Sequence, residues 1–146
     1  MPEPTTSRVS LTLPSSLDSV TAVERAAEDF IERAGFAPDL VHDIVVAVHE
    51  AVINAVIHGN RYCPKKRVTV SFEANSECII LRIADQGEGL NTDDIPDPLA
   101  PENLLKSSGR GIFLIRNFVD EVHFCKLNTG TELTLVEYRR QAPPAD

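Results

Sequence analysis

The stretch His49-Glu50-Ala51-Val52-Ile53-Asn54-Ala55-Val56-Ile57-His58-Gly59-Asn60 places Glu50, Asn54 and His58 at intervals of four residues inside an apolar segment. On an α-helix this spacing puts the three side chains on one face, one turn apart. A carboxylate one turn from a carboxamide is costly to bury without a partner, and it is suited to holding a metal ion or activating a hydroxyl. The stretch therefore predicts a helix that carries the functional site.

The size and charge of the chain narrow the classes of protein it can be. With 146 residues and 42% hydrophobic residues, we expect a single domain over 1–146, with its core at about 8–138 and a frayed C-terminal tail at 141–146. The formal net charge of -8 argues against a nucleic-acid binder, which needs clustered Lys and Arg. No run approaches the ~18 apolar residues of a membrane span, and residues 1–14 lack a signal-peptide core, so we expect a cytoplasmic protein.

The first half of the chain has the pattern of a strand, two helices and a hairpin. Alternating apolar residues predict a short edge strand at 9–13, and helical spacing predicts a helix at 18–34. A second helix is expected from Pro38 to Gly59, because Pro suits the first position and Gly the end. Two further alternating runs, at 68–72 and 79–83, predict the hairpin.

The segment 85–111 differs in composition from the rest of the chain, since it holds four of the seven glycines and three prolines. A loop of this length inside a compact domain is usually a functional lid or a disordered excursion. We place the expected lid at about 90–110. A helix at 112–119 and strands at 122–127 and 133–138 are expected to follow. This order predicts an α+β fold, a two-layer α/β sandwich whose mixed, mostly antiparallel sheet is covered on one face by helices.

Three separated motifs stand out: the Glu50/Asn54 face, the turn Asp85-Gln86-Gly87-Glu88-Gly89 after a strand, and Gly109-Arg110-Gly111 before a helix. Each alone has an ordinary structural meaning, as a polar helix face, a strand-ending turn or a loop adjustment. An aspartate in such a turn can also accept a hydrogen bond from an exocyclic amine. Free N–H groups at a helix start suit phosphate oxygens. The combination of the motifs, rather than any one of them, therefore carries the functional argument.

In this order and with these intervals, the motifs resemble the ATP-binding site of the superfamily of gyrase, heat-shock chaperones, histidine kinases and mismatch-repair ATPases. More narrowly, residues from about 8 to 138 resemble the anti-sigma-factor serine kinases of bacterial partner-switching systems. The closer likeness is carried by 50–60, Pro96-Asp97-Pro98, 109–115 and Asp120-Glu121-Val122. The resemblance implies a Bergerat-type ATP-binding fold with an ATP lid.

The resemblance also implies roles for residues near the base and at the catalytic centre. It assigns Asp85 to the adenine N6 amine and Thr131 to the same end of the base. Gly87 and Gly89 would let the backbone approach the base closely. At the phosphate end, the resemblance implies a Mg²⁺ ligand, Asn54, and a general base, Glu50.

Asn54 is implied to hold Mg²⁺ through its amide oxygen, because this ion is typically bound by few protein ligands plus waters and phosphate oxygens. Glu50, one turn earlier, is implied to take the proton from an attacking hydroxyl. We expect His58 to cap or pack near the helix end, because no second His or Cys lies at ligand spacing. His123 lies on a predicted strand and is not expected to be a phospho-acceptor.

The predicted lid contributes phosphate contacts in this interpretation. Gly109 and Gly111 would present N–H groups to phosphate oxygens at a helix start. Arg110 and Lys106 could add charge-assisted contacts to the γ-phosphate or to a partner. For both cations, a solvated charge on the lid is an equally good interpretation.

The function implied by the resemblance is that of an ATP-dependent serine-protein kinase that is also an anti-sigma factor. Such a protein uses ATP and Mg²⁺, phosphorylates an anti-sigma-factor antagonist of the STAS type, sequesters a sigma factor and forms a homodimer. The alternative is a nucleotide-binding regulatory module that controls a partner without phosphoryl transfer. Such a module needs Asn54 and Asp85 but could lose Glu50, and the presence of Glu50 favours the enzyme.

Overall fold

The computed structural model describes residues 7–87 and 115–140. The predicted lid at 90–110 and the tail at 141–146 lie outside these ranges. The elements in chain order are β1 (Ser7–Pro14), α1 (Leu17–Arg33), α2 (Pro38–Ile53), a π-helix (Asn54–Gly59), β2 (Arg67–Ala74), β3 (Cys78–Ala84), four helical residues at 115–118, β4 (Glu121–Leu127) and β5 (Gly130–Tyr138). The predicted α+β class is confirmed.

The five strands form one sheet in the order β1-β2-β3-β5-β4. A mixed, mostly antiparallel sheet was predicted, and all four pairings among the described strands are antiparallel. Two of the connections are tight turns, at Asn75-Ser76 and at Asn128-Thr129, and such turns join antiparallel neighbours. Because Ala84 of β3 pairs with Glu132 of β5, the chain leaves β3 beside the start of β5.

One face of the sheet is covered by α1 and α2, as the two-layer prediction requires. Alternate residues of the inner strands point into this interface, and Phe30 of α1 lies against Phe72 of β2 with ring centroids 5.6 Å apart. The largest side chains that lose all contact with solvent here include Phe72, Ile31, Ile44, Ile79, Leu81, Ile83 and Leu135. Burial of this apolar surface is the main stabilising term of the fold.

The central helical stretch, Pro38–Gly59, is more apolar than the sequence analysis allowed. Its 22 residues include an 18-residue window of mean hydropathy 1.7, which by length and composition would suffice to cross a membrane. In the structure, Ile44, Val48 and Val52 are fully buried in the domain core. The hydrophobicity of this stretch is thus used for packing against the sheet, as in the core helix of a globular domain.

The winding of this stretch changes at Asn54, where the α-helix becomes a π-helix. The N–H of Asn54 still bonds to the carbonyl of Glu50, four residues back, whereas the N–H of Asn60 reaches Ala55, five back, at 2.8 Å. A π-turn holds more residues than an α-turn. The predicted column therefore holds for Glu50 and Asn54 but not for His58, which is exposed at the helix end.

Candidate functional site

Asp85, the first residue after β3, is held by backbone groups on two sides. Its N–H donates to the carbonyl of Thr131 at 2.9 Å. Its Oδ1 accepts the N–H of Gly87 at 3.0 Å and that of Thr131 at 3.3 Å. Within residues 7–87 and 115–140, no group donates a hydrogen bond to its Oδ2. One carboxylate oxygen is thus fixed by the backbone, and the other has no hydrogen-bond donor among the described residues.

The surroundings of Asp85 act on its charge in opposite directions. Burial raises the pKa of this carboxyl above its usual value. The N–H groups of Gly87 and Thr131 and the positive charge of Lys66 lower the pKa, but burial outweighs them. A carboxylate that is partly desolvated and held by fixed dipoles forms a stronger hydrogen bond to a neutral donor than one in water.

Three glycines let the chain close around Asp85. A Cβ on Gly59, at the end of the π-helix, would lie 2.2 Å from Asp85 Oδ2, and one on Gly87 would lie 2.2 Å from the Gly59 carbonyl oxygen. Gly130 has a φ of +149°, and a Cβ there would lie 1.9 Å from the Asp85 carbonyl oxygen. Helix end, turn and strand start can therefore meet only because these positions have no side chain.

This geometry extends the sequence analysis. Gly87 was selected for close approach to the base, and the structure shows it in close contact with the backbone of Gly59. The sequence analysis assigned Gly59 only to the end of a helix and gave Gly130 no functional role. One signal in the sequence could have found them. Gly59 directly precedes the polar residue Asn60 after a helix, and Gly130 directly precedes the polar residue Thr131 at the start of a strand.

Glu50 and Asn54 lie one helical turn apart and are both partly exposed. The Nδ2 atom of Asn54 is buried and has no hydrogen-bond partner among the described residues. A buried amide without a partner is costly unless a ligand satisfies it, and rotation of the terminal amide exchanges its oxygen and nitrogen. Within the described ranges the carboxylate of Glu50, which is partly exposed, forms no ion pair and no hydrogen bond.

The donor set fits Mg²⁺ better than a metal held wholly by protein. The described ranges contain no group of three or more His, Cys, Asp or Glu side chains that could hold a metal ion. A zinc site needs such a group. Mg²⁺ is commonly bound by one or two protein oxygens together with water and substrate phosphates, and the Asn54 amide can supply one oxygen.

Sequence reasoning missed Asn60, which is 1% exposed. Its side chain forms hydrogen bonds to residues of three different segments that surround the Asp85 turn. The structure thus brings together Asp85, Gly87 and Thr131 at one end of the sheet. The remaining predicted residues lie outside the described ranges, so their roles stay predictions: Gly89, Lys106, Gly109, Arg110 and Gly111.

Comparison with known proteins agrees with this geometry. The sequence profile of the histidine kinase-like ATPase domain matches residues 13–137, which is most of the chain. The chain belongs to this family. The match includes both the helix with Glu50 and Asn54 and the strand end with Asp85, so the family's domain contains the whole candidate site that the structure describes.

Two curated relatives from bacteria are similar over much of their length. The serine-protein kinase RsbW of Staphylococcus epidermidis is 30% identical over 137 residues, which cover 89% of this chain and 86% of the relative. The anti-sigma F factor of Anoxybacillus flavithermus is 36% identical over 105 residues, covering 68% of this chain and 70% of the relative.

A solved structure shares the fold. The crystal structure of the RsbU and RsbW domains of Rv1364c from Mycobacterium tuberculosis matches 96% of this chain with a TM-score of 0.69 at 20% sequence identity. The chain spans about a third of that longer protein, with 35% covered. At this identity the likeness supports the fold alone.

Proposed function

We propose that this protein is an ATP-dependent serine-protein kinase that is also an anti-sigma factor. It phosphorylates an antagonist protein of the STAS type and, when the antagonist does not compete, sequesters a sigma factor of RNA polymerase. The observation that carries the proposal is the Asp85 carboxylate at one end of the sheet, in a domain that belongs to the histidine kinase-like ATPases. Backbone N–H groups fix its Oδ1, and no residue in the described part of the chain donates to its Oδ2. One relative is named a serine-protein kinase and another an anti-sigma F factor, which supports the choice of these two activities.

In this proposal the Asp85 turn recognises the base of ATP. The exocyclic N6 amine donates to Oδ2, the oxygen that no described residue occupies, while Oδ1 stays bonded to Gly87 and Thr131. Guanine has a carbonyl at this position and would face the carboxylate with an acceptor. Thr131 lies at the same end of the base, where its backbone is already bonded to Asp85.

The helix with Glu50 and Asn54 serves the phosphoryl transfer. Bound Mg²⁺ would neutralise charge on the phosphate oxygens, and the amide oxygen of Asn54 would be its protein ligand. Glu50 takes the proton of the acceptor serine hydroxyl as the serine oxygen bonds to the γ-phosphorus. The bond between that phosphorus and the β–γ bridging oxygen breaks, which leaves phosphoserine and ADP, and the proton leaves Glu50 for solvent.

The remaining parts of the proposal follow the family resemblance. Gly89, Gly109 and Gly111 line the nucleotide with backbone N–H groups, and Lys106 and Arg110 contact the γ-phosphate. The protein acts in the cytoplasm as a homodimer. Neither membrane nor nucleic acid is a direct partner, because binding to a nucleic acid would bring a polyanion to a chain of net charge -8.

The test is phosphorylation of the antagonist with radiolabelled ATP. Glu50→Gln removes the base but keeps the shape, so we expect the rate of serine labelling to fall at least about 100-fold while the Kd for ATP stays within a few-fold. Asp43→Asn is the control, because Asp43 lies on the same helix two turns before Glu50 and should keep the activity.

Two results would contradict parts of the proposal. Wild-type labelling by Glu50→Gln would remove Glu50 from the role of base. Tight ATP binding by the wild-type protein, without labelling of any antagonist serine, would favour the regulatory module that acts without phosphoryl transfer.

A further inference from the structure

The side chain of Asn60 connects three segments that are distant in sequence. Its Nδ2 donates to the Ser15 hydroxyl at 2.7 Å and to the Arg67 carbonyl at 2.9 Å, and its Oδ1 accepts the N–H of Gln86 at 2.7 Å. Ser15 follows β1, Arg67 begins β2, and Gln86 comes two residues after the end of β3. With 1% exposure, this amide satisfies both donors and its acceptor inside the protein.

The bond to Gln86 completes the fixation of Asp85. The regular pairing of β2 with β3 ends at Thr69 and Ala84, so the sheet itself does not hold the next peptides on that side. The N–H of Asp85 is held by Thr131 on one side, and the following N–H, of Gln86, is held by Asn60 on the other. Fixing two successive N–H groups fixes the backbone from which the Asp85 carboxylate projects.

The same network holds the segment before β2. The Ser15 hydroxyl donates to the Lys66 carbonyl at 2.7 Å, and the N–H of Arg67 donates to Oε1 of Gln86 at 2.6 Å. Lys66 is the residue whose charge opposes the rise in the pKa of Asp85. A polar network whose central side chains, Asn60 and Ser15, are buried and hydrogen-bonded is rigid and specifies one arrangement.

We propose that Asn60 is a positioning residue for base recognition: it sets the orientation of the Asp85–Gln86 peptide and thereby aims Asp85 Oδ2 at the exocyclic amine. Asn60 does not touch the nucleotide. Asn60 directly follows the π-helix Asn54–Gly59. The stretch 54–60 therefore supplies the candidate metal ligand Asn54, the glycine packed on Asp85 and the residue that holds the Asp85 turn. This inference rests on the proposed adenine role of Asp85.

The test compares Asn60→Ala with Ser15→Ala. Both remove buried hydrogen bonds and should destabilise the protein, but only Asn60→Ala releases the N–H of Gln86. We expect the Kd for ADP to rise about tenfold in Asn60→Ala, with a fall in the preference for ADP over GDP, because one buried bond of this kind is worth about a factor of ten. In Ser15→Ala both quantities should stay within about twofold. Titrations are done below the melting temperature of each variant.

A second pair of variants leaves Asn60 in place. Gln86→Pro removes the N–H that Asn60 accepts, whereas Gln86→Ala keeps it and removes only the side chain. A loss of ADP affinity and base preference that is larger in Gln86→Pro supports the proposal, and this pair decides the matter if Asn60→Ala does not fold. Equal losses in the two Gln86 variants, or an unchanged ADP preference in folded Asn60→Ala, would overturn it. Failure of the wild-type protein to bind ADP would instead contradict the proposed function.

Discussion

Each end of the sheet holds a carboxylate whose pKa is raised by burial, but the surroundings of the two carboxylates differ. Asp85 directly follows the end of β3. Glu137 lies near the end of β5, which runs antiparallel to β3, so it lies at the opposite end of this strand pair. Burial and the neighbouring Asp120 carboxylate raise the pKa of Glu137 to about 7, although Arg140 opposes the rise. Judged by pKa alone, Glu137 would be a strong candidate for function.

The difference lies in what surrounds the two carboxylates. Glu137 is 2% exposed, and its oxygens are engaged by the N–H of Asp120 at 2.9 Å and by Arg140 at 3.5 Å. It braces the turn after the helical residues 115–118 against β5. Asp85 is surrounded by glycines, and none of the residues that the structure describes donates a hydrogen bond to its Oδ2. The small neighbours and the unfilled bonding capacity among the described residues, rather than the raised pKa, make Asp85 the better candidate for a binding site.

Gly59→Ala should produce the largest change at the Asp85 end. Its Cβ would lie 2.2 Å from Asp85 Oδ2, so the carboxylate must move from the position in which it faces a ligand. Overpacking of this kind costs about 1–3 kcal/mol, so we expect the Kd for ADP to rise roughly 10- to 100-fold. Titration calorimetry measures the change.

Gly35→Ala is the matched control for this substitution. Gly35 has a φ of +90°, and a Cβ there has no neighbour closer than Arg139 at 4.0 Å. The variant should lose about 1 kcal/mol of stability through backbone strain and keep the wild-type affinity for ADP. Weakened ADP binding in Gly35→Ala, or normal binding in Gly59→Ala, would show that the glycine packing around Asp85 is not specific to the site.

Glu137→Gln should have a smaller effect, confined to stability. Because the folded pKa of Glu137 is raised from 4.5 to about 7, the folded protein binds more protons than the unfolded chain in this window. The free energy of unfolding therefore falls as pH rises from about 4.5 to 7. Removing the acid should abolish this loss, on the order of 1 kcal/mol after screening, and leave ADP binding unchanged. Urea unfolding of both proteins across this pH range measures it.

Glu73→Gln should change the pH dependence of the free energy of unfolding in the opposite direction. Hydrogen bonds from Arg8 and Arg82 and their charges lower the pKa of Glu73, although burial opposes them. Glu73 therefore contributes stability above its unfolded pKa that is lost as pH falls through the lower folded value. Its removal should reduce stability at neutral pH. If Glu137→Gln were also less stable than wild type at pH 7 to 8, the hydrogen bond from the Asp120 N–H to Glu137 would contribute more to stability than the buried charge costs.

Much of the fold could be predicted because local patterns and burial agree. Apolar residues alternate along β2 and β3 because one face of each strand is buried. In the turn between them, the Asn75 side chain accepts hydrogen bonds from two backbone N–H groups. The adjacency of Asp85 and Thr131 came only with the resemblance. It depends on strand order, which no single stretch of sequence encodes.

Other features could not be predicted for identifiable physical reasons. The π-helix Asn54–Gly59 has the same apolar spacing as an α-helix over so short a length, so periodicity does not reveal it. In the sequence Asn60 looks only like a residue that ends a helix. Its hydrogen-bond partners are 45, 7 and 26 residues away along the chain, so no local pattern reveals them. Glu137 occupies a core-facing position of β5, where a carboxylate is unusual, and its partner Asp120 lies in a turn.

The central claim is that Asp85 Oδ2 recognises an exocyclic amine. It is tested most directly by titrating the wild-type protein, in the presence of Mg²⁺, with ADP and with inosine diphosphate, which differ at the purine by an amine against a carbonyl oxygen. We predict that ADP binds at least about 100-fold more tightly, because a partly desolvated carboxylate facing a carbonyl leaves both acceptors unpaired. Equal affinity for the two nucleotides would contradict the claim.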